Sequence, residues 1–100
     1  MIISGGENVY PSEVENLLSG HPKIREVAVV GRPDPKWGEA VHAVIVLRDR
    51  ESVTEGELME WCASRLAGYK RPKSFSFIAE ADMPRTATGK ILHRVLKNRL

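Results

Sequence analysis

Two runs, Ile24-Arg25-Glu26-Val27-Ala28-Val29-Val30 and Ala40-Val41-His42-Ala43-Val44-Ile45-Val46-Leu47, decide the fold of this chain. Both are rich in β-branched residues, whose restricted χ1 suits a pleated surface. Between them stands Gly31-Arg32-Pro33-Asp34-Pro35, a cluster that demands a turn or loop, and Arg48-Asp49-Arg50 closes the second run. The reading is two strands paired antiparallel. Upstream, Pro11 suits the first turn of a helix, with Glu13 and Glu15 at the positive end of its dipole and Val14, Leu17 and Leu18 on one face. Gly20, read as a left-handed cap, and His21-Pro22 stop that helix.

Downstream, Thr54 and Glu57 form a capping box, and Leu58, Trp61, Cys62 and Leu66 recur at i, i+3, i+4 and i+8, which predicts a second helix ending at Gly68. Tyr69-Lys70-Arg71-Pro72-Lys73 leads into a third strand over Ser74 to Ile78, and Leu92, Val95 and Leu96 predict a short terminal helix. The expected fold is a small single α+β domain over residues 1–100. It has a largely antiparallel sheet of about three strands, packed helices, and an N-terminal glycine-containing loop or hairpin at Ser4-Gly5-Gly6-Glu7.

The 100 residues, 42% of them hydrophobic and 28% charged, describe a soluble globular domain with no apolar run long enough for a bilayer. Fifteen basic and thirteen acidic residues leave a charge of +2. The basic residues lie among acidic neighbours and the aromatics are few, which argues against nucleic-acid binding. Cys62 is the single cysteine, read as a buried thiol, so an internal disulfide is excluded. Nothing at the N-terminus resembles a secretory leader, and the expected location is cytoplasmic. Met1 is read either as a start or as the first residue of an excised segment.

His21, His42 and His93 fall in different elements and read as cap, strand-face and helix-surface residues rather than catalytic bases. No metal-ligand spacing is present. Pro84-Arg85-Thr86-Ala87-Thr88-Gly89-Lys90-Ile91 is more pointed: small hydroxyl residues and a glycine let backbone approach an anion, and Lys90 adds a mobile ammonium. A solvent-exposed lysine in a helix-capping loop is the bland alternative. The basic stretch Tyr69 to Lys73 reads as a solvated linker or as a phosphate-binding patch with an aromatic face. Trp37, between Lys36 and Gly38, either folds onto the core or lines a ligand passage.

Taken in order, Ser4-Gly5-Gly6-Glu7-Asn8-Val9-Tyr10-Pro11-Ser12-Glu13-Val14-Glu15, Val29-Val30-Gly31-Arg32-Pro33-Asp34, Trp37-Gly38-Glu39, Tyr69-Lys70-Arg71-Pro72-Lys73 and Pro84 to Ile91 resemble the C-terminal domain of the acyl- and aryl-CoA synthetases, the adenylate-forming AMP-binding superfamily. The resemblance covers essentially the whole chain. It implies a two-step reaction: a carboxylic acid and ATP give an acyl-adenylate and pyrophosphate, then a thiol, usually that of CoA, displaces AMP. It further implies that this domain rotates between the steps against an N-terminal adenylation domain, which also holds the Mg²⁺ that accompanies ATP.

Lys90 matches the lysine that enters the site for adenylation, where it would hold the carboxylate near the α-phosphate and offset developing charge. Gly5 and Gly6, with Glu7 beside them, match the loop of the pantetheine tunnel. Trp37, Tyr69, Arg71 and Lys73 match positions facing the CoA. The hinge residue and the N-terminal domain of that family lie outside this sequence, so the 100-residue chain is expected to be inactive by itself. Firefly luciferases and carrier-protein adenylation domains share much of the pattern, and some members are reversibly acylated at the position of Lys90. A stand-alone module that binds a nucleotide, CoA or a partner protein without catalysis is the alternative reading.

Overall fold

The structure is a computed structural model describing residues 1–100. Strands β1 (Ile2–Ser4) and β2 (Glu7–Val9) form a hairpin, followed by helix α1 (Pro11–Ser19). The long strands β3 (Ile24–Asp34) and β4 (Gly38–Leu47) come next, then helix α2 (Glu55–Ala63), strand β5 (Ser74–Phe77) and helix α3 (His93–Asn98). The sheet order is β2-β1-β4-β3, with β5 also on β4. All pairings are antiparallel except β4 with β5, which α2 makes parallel by crossing between them.

The expected α+β class and antiparallel β3–β4 pair are present, but the sheet has five strands rather than about three. β1 and β2 are three residues each, too short for a period-2 pattern to register in sequence. β3 also runs on through Gly31-Arg32-Pro33-Asp34, where a loop was expected. The reason lies in which way the backbone N–H groups point. The Val29 N–H faces away from β4, toward α1, and two-residue periodicity places Pro33 with the same outward orientation. Its missing donor therefore costs no ladder bond.

Two helix ends also differ from expectation. Gly20 closes α1 in right-handed geometry, φ −75°, with its N–H on the Leu17 carbonyl, so Pro22 alone enforces the stop. α2 ends at Ala63, and Gly68 instead opens a single 3₁₀ turn, Gly68–Lys70. The guanidinium of Arg71 accounts for the difference: it donates to the carbonyls of Ala63 (2.8 Å) and Leu66 (2.9 Å), satisfying groups that a longer helix would have bonded. The capping box at Thr54 is present, its hydroxyl accepting the Glu57 N–H at 3.1 Å.

Side chains alternate across β3 and β4, and each sheet face has its own core. Leu18, Ile24, Val29, Val41, Ile45, Leu58, Cys62 and Phe75 fill the larger one beneath α1 and α2. Fully burying Leu18 or Leu58 contributes about 2 kcal/mol each. Ala28, Val30, Val44, Val46, Met83 and Leu96 form the smaller core beneath α3. At the outer edge of β3 the Glu15 carboxylate accepts the Val29 N–H at 2.8 Å and also meets His93 Nε2 at 2.6 Å, tying α1, β3 and α3 together.

His42 is the buried polar residue of β4, only 1% exposed, its ring held between the hydroxyls of Ser74 (2.6 Å) and Ser76 (2.8 Å). Burial, with the Arg32 charge adding to it, lowers its pKa from 6.5 to about 4. Its contribution to stability is thus complete above pH 6.5, falls as pH drops toward 4, and changes no further below that, where both states are protonated. The loss expected from this one group is about 3 kcal/mol. Denaturant midpoints at pH 7 and pH 4 check it: the drop between them should shrink in His42→Asn, and an unchanged drop would contradict it.

Candidate functional site

Ser4 pairs with Glu7 across Gly5 and Gly6, whose φ values of 58° and 81° are those of a two-residue turn with both central residues left-handed. Glycine adopts both conformations without strain, whereas most other residues, Asn and Asp apart, would be disfavoured there. The turn is also crowded. The Gly5 N–H donates to the Trp37 carbonyl at 2.8 Å, and a Cβ at Gly5 would lie 3.0 Å from the indole Cε3.

Trp37 itself is placed by Asp34, whose carboxylate accepts the N–H groups of Lys36 (2.8 Å) and Trp37 (2.9 Å), turning the chain sharply from β3 into β4. Lys36 and Lys73 bring their ammonium groups to 4.9 and 5.3 Å from the indole centroid. Lys73 also donates to the Gly68 carbonyl at 3.3 Å, beside the exposed Tyr69. A depression of about 290 Å³ opens there, lined by Arg32, Pro33, Asp34, Ala40, Lys73 and Ser74.

Gly5, Gly6, Trp37 and Lys73, which come from three separate parts of the sequence, thus form one surface, with Tyr69 at its margin and Glu7 exposed on the hairpin. Arg71 stands apart, its guanidinium occupied with the carbonyls after α2. Neither Asp34 nor Lys36 was singled out from sequence. The Asp-Pro-Lys-Trp spacing holds the signal for the first, since an aspartate commonly accepts backbone N–H groups two and three residues on.

Lys90 lies in a second hairpin. Arg85 pairs with Ile91, the Thr86 N–H donates to the Lys90 carbonyl (2.8 Å), the Lys90 N–H donates to the Thr86 hydroxyl (3.1 Å), and Gly89 turns at φ 92°. α3 begins only at His93 with Leu92 as its cap residue, so Lys90 belongs to this turn and not to a loop that caps the helix. Its side chain is exposed and has no ionic partner within the chain. At the base of the hairpin the Arg85 guanidinium grips both carboxylate oxygens of Glu26 on β3.

The two groupings are anchored at opposite ends of the β3–β4 ladder. Glu26 pairs with Val46, and Asp34 pairs with Gly38, eight positions further along β3 and roughly 27 Å away at the rise of a strand. A larger cleft, about 490 Å³, lies between α1, β1, β3 and α3. Its carboxylates are already paired, Glu15 with His93 and Glu39 with Lys97, and it contains none of the candidate residues. The Ile3 N–H, with Lys97 beside it, holds the Glu39 carboxyl below its usual range, and a side chain at Gly31 would collide with that carboxylate. Nowhere do three or more His, Cys, Asp or Glu side chains converge as metal ligands.

The family model of the AMP-binding enzyme C-terminal domain matches residues 13–90. A long-chain-fatty-acid–CoA ligase of Mycobacterium tuberculosis is 56% identical over 97 residues, which is 97% of this chain and 19% of that protein. A feruloyl-CoA synthase from an Amycolatopsis species is 50% identical, over 99% of this chain and 20% of its own length. Among solved structures, a Mycobacterium tuberculosis fatty acyl CoA synthetase superposes with a TM-score of 0.90 at 50% identity, covering 99% of this chain and 19% of that one. The chain thus spans about a fifth of the length of the relatives it matches. Family model, relatives and superposition agree over nearly all of its residues, and the chain belongs to the AMP-binding enzyme C-terminal domain family.

Proposed function

We propose that this chain is the mobile C-terminal domain of an ATP-dependent carboxylic acid–CoA ligase. It supplies Lys90 to adenylate formation and the Gly5-Gly6, Trp37, Tyr69 and Lys73 surface to thioester formation. The observation that carries this reading is the separation of an unpaired, turn-borne lysine from a glycine–indole–lysine surface by most of the β3–β4 ladder. Both cannot occupy one reaction centre together, so each serves its own step when the domain turns. An ammonium on a glycine-hinged loop fits a role at a carboxylate and an α-phosphate. A bare glycine turn against an indole fits passage of a thin, flexible thiol arm.

Arg71 enters this reading differently from Tyr69 and Lys73. Bonded to the Ala63 and Leu66 carbonyls, it shapes the segment that carries those two residues. The adenylation domain is the partner, ATP and CoA are the substrates, and Mg²⁺ accompanies ATP on that partner. The test is acid-dependent exchange of pyrophosphate into ATP. The full-length chain bearing this domain should support exchange and the isolated 100 residues should not. Exchange by the isolated chain would overturn the proposal.

A further inference from the structure

The Lys90 hairpin is tied to the sheet by hydrogen bonds at one place only. Within residues 84–92 the bonds are internal: Thr86 N–H to the Lys90 carbonyl, Gly89 N–H to the Thr86 carbonyl, Leu92 N–H to the Pro84 carbonyl, Lys90 N–H to the Thr86 hydroxyl, and the Thr86 and Thr88 hydroxyls to each other. The exception is Arg85, with Nη1 donating to Glu26 Oε2 at 2.5 Å and Nη2 to Oε1. Apart from this fork, only apolar packing of Met83 and Ile91 against the smaller core holds the segment down.

We propose that Arg85, gripped by Glu26, is a positioning residue for Lys90, fixing the base of the hairpin so that the ammonium is presented in one place for adenylation. The inference rests on the reading of Lys90 given above. A forked guanidinium–carboxylate pair fixes orientation as well as distance, which a single hydrogen bond or a lysine cannot do. The pair is partly buried, with side-chain exposures of 27% and 22%, and so is less open to solvent than the other Arg and Lys ion pairs of the domain. Arg85 lies across the hairpin from Ile91, the residue after Lys90, and immediately before Thr86, which bonds to both Lys90 backbone groups. Its orientation is therefore transmitted to Lys90 through one turn. Both terminal nitrogens face Glu26, so Arg85 acts through the hairpin and not as a phosphate ligand.

The experiment measures both half-reactions of the full-length chain in Arg85→Ala, Arg85→Lys, Glu26→Gln and the exchanged pair Glu26→Arg/Arg85→Glu. Lys90→Ala is run alongside, and melting temperatures are recorded. Arg85→Ala and Glu26→Gln should each slow adenylation by roughly 10- to 100-fold, the cost of a misplaced reacting group. The loss should fall on kcat with KM for ATP and acid little changed, and thioester formation from supplied acyl-adenylate should stay within about twofold. Arg85→Lys should lie between, and the exchanged pair should recover much of the loss.

Equal loss in both half-reactions, or full adenylation in Glu26→Gln when Arg85→Ala is slow, would overturn the positioning role. Glu26→Gln decides the matter even if the exchanged pair fails to fold, because it leaves Arg85 and the hairpin intact. If Lys90→Ala is not selective for adenylation, the underlying reading of Lys90 fails. If it is selective and the Arg85 and Glu26 variants are not, only the role of Arg85 fails.

Discussion

Lys90→Ala in the full-length ligase is expected to slow adenylate formation by roughly 10²-fold or more while leaving thioester formation from a supplied acyl-adenylate intact. The size follows from what the ammonium is asked to do. The adenylation transition state gathers negative charge at an α-phosphate approached by a carboxylate, and a positioned cation in a closed site is worth several kcal/mol there. Three nearby basic side chains are already engaged, Lys97 with Glu39, Arg85 with Glu26, and His93 with Glu15, whereas Lys90 has no ionic partner in the domain. The substitution is also structurally mild, because Lys90 is exposed and its ordered contacts are made by backbone atoms that alanine keeps. Single-turnover measurement of the two half-reactions checks this. Equal loss in both would mean damage to the domain or its rotation, and no loss would reduce Lys90 to a surface charge.

Gly5→Val is expected to do the converse, slowing thioester formation by on the order of 10²-fold with adenylation affected only a few-fold. Two costs coincide at this position. Valine is a poor occupant of φ 58°, and its Cβ would start 3.0 Å from the Trp37 indole, with two methyl groups beyond it. The hairpin tip or the indole must move, and both line the surface proposed to meet the thiol arm. The Lys90 hairpin is anchored on Glu26 at the far end of β3, beyond easy reach of that displacement. A rise in KM for CoA together with a lower rate, the loss falling far more on thioester formation than on adenylation, is the expected signature. Parallel loss in both half-reactions would contradict it.

Sequence showed the parts of this domain whose signal is periodic or chemical. The β-branched runs of β3 and β4 and the Thr54–Glu57 box preceding Leu58 and Cys62 were legible because each repeats along the chain. The N-terminal hairpin of β1 and β2 was legible only as one of two alternatives, a loop or a hairpin around Gly5 and Gly6, since strands of three residues show no periodicity and their joining to β4 is set by Gly38 opposite Ser4. Pro33 misled because sequence does not say which edge of a strand is free. At the candidate site, the types of Gly5, Trp37, Lys73 and Lys90 were enough to single them out. Their grouping came from the family resemblance and not from the residue types: Lys73 reaches Trp37 only because β5 lies parallel on β4, a contact between residues 36 positions apart in the chain. The same limit hid the Arg85–Glu26 fork, which spans 59 residues. It also hid the second task of Arg71, whose bonds to Ala63 and Leu66 depend on where α2 stops.

The carboxylate of Glu15 on the Val29 N–H has a consequence for the domain as a neighbour of other proteins. β3 is eleven residues long and forms the outer edge of the sheet, the kind of edge on which foreign strands add. By occupying the donor at its middle with a side chain, and by drawing His93 across the same place, the chain leaves an incoming strand no continuous row of partners. The next copy of the chain is thereby offered no strand-length docking edge, and a glutamate within the first helix acts as a guard against aggregation.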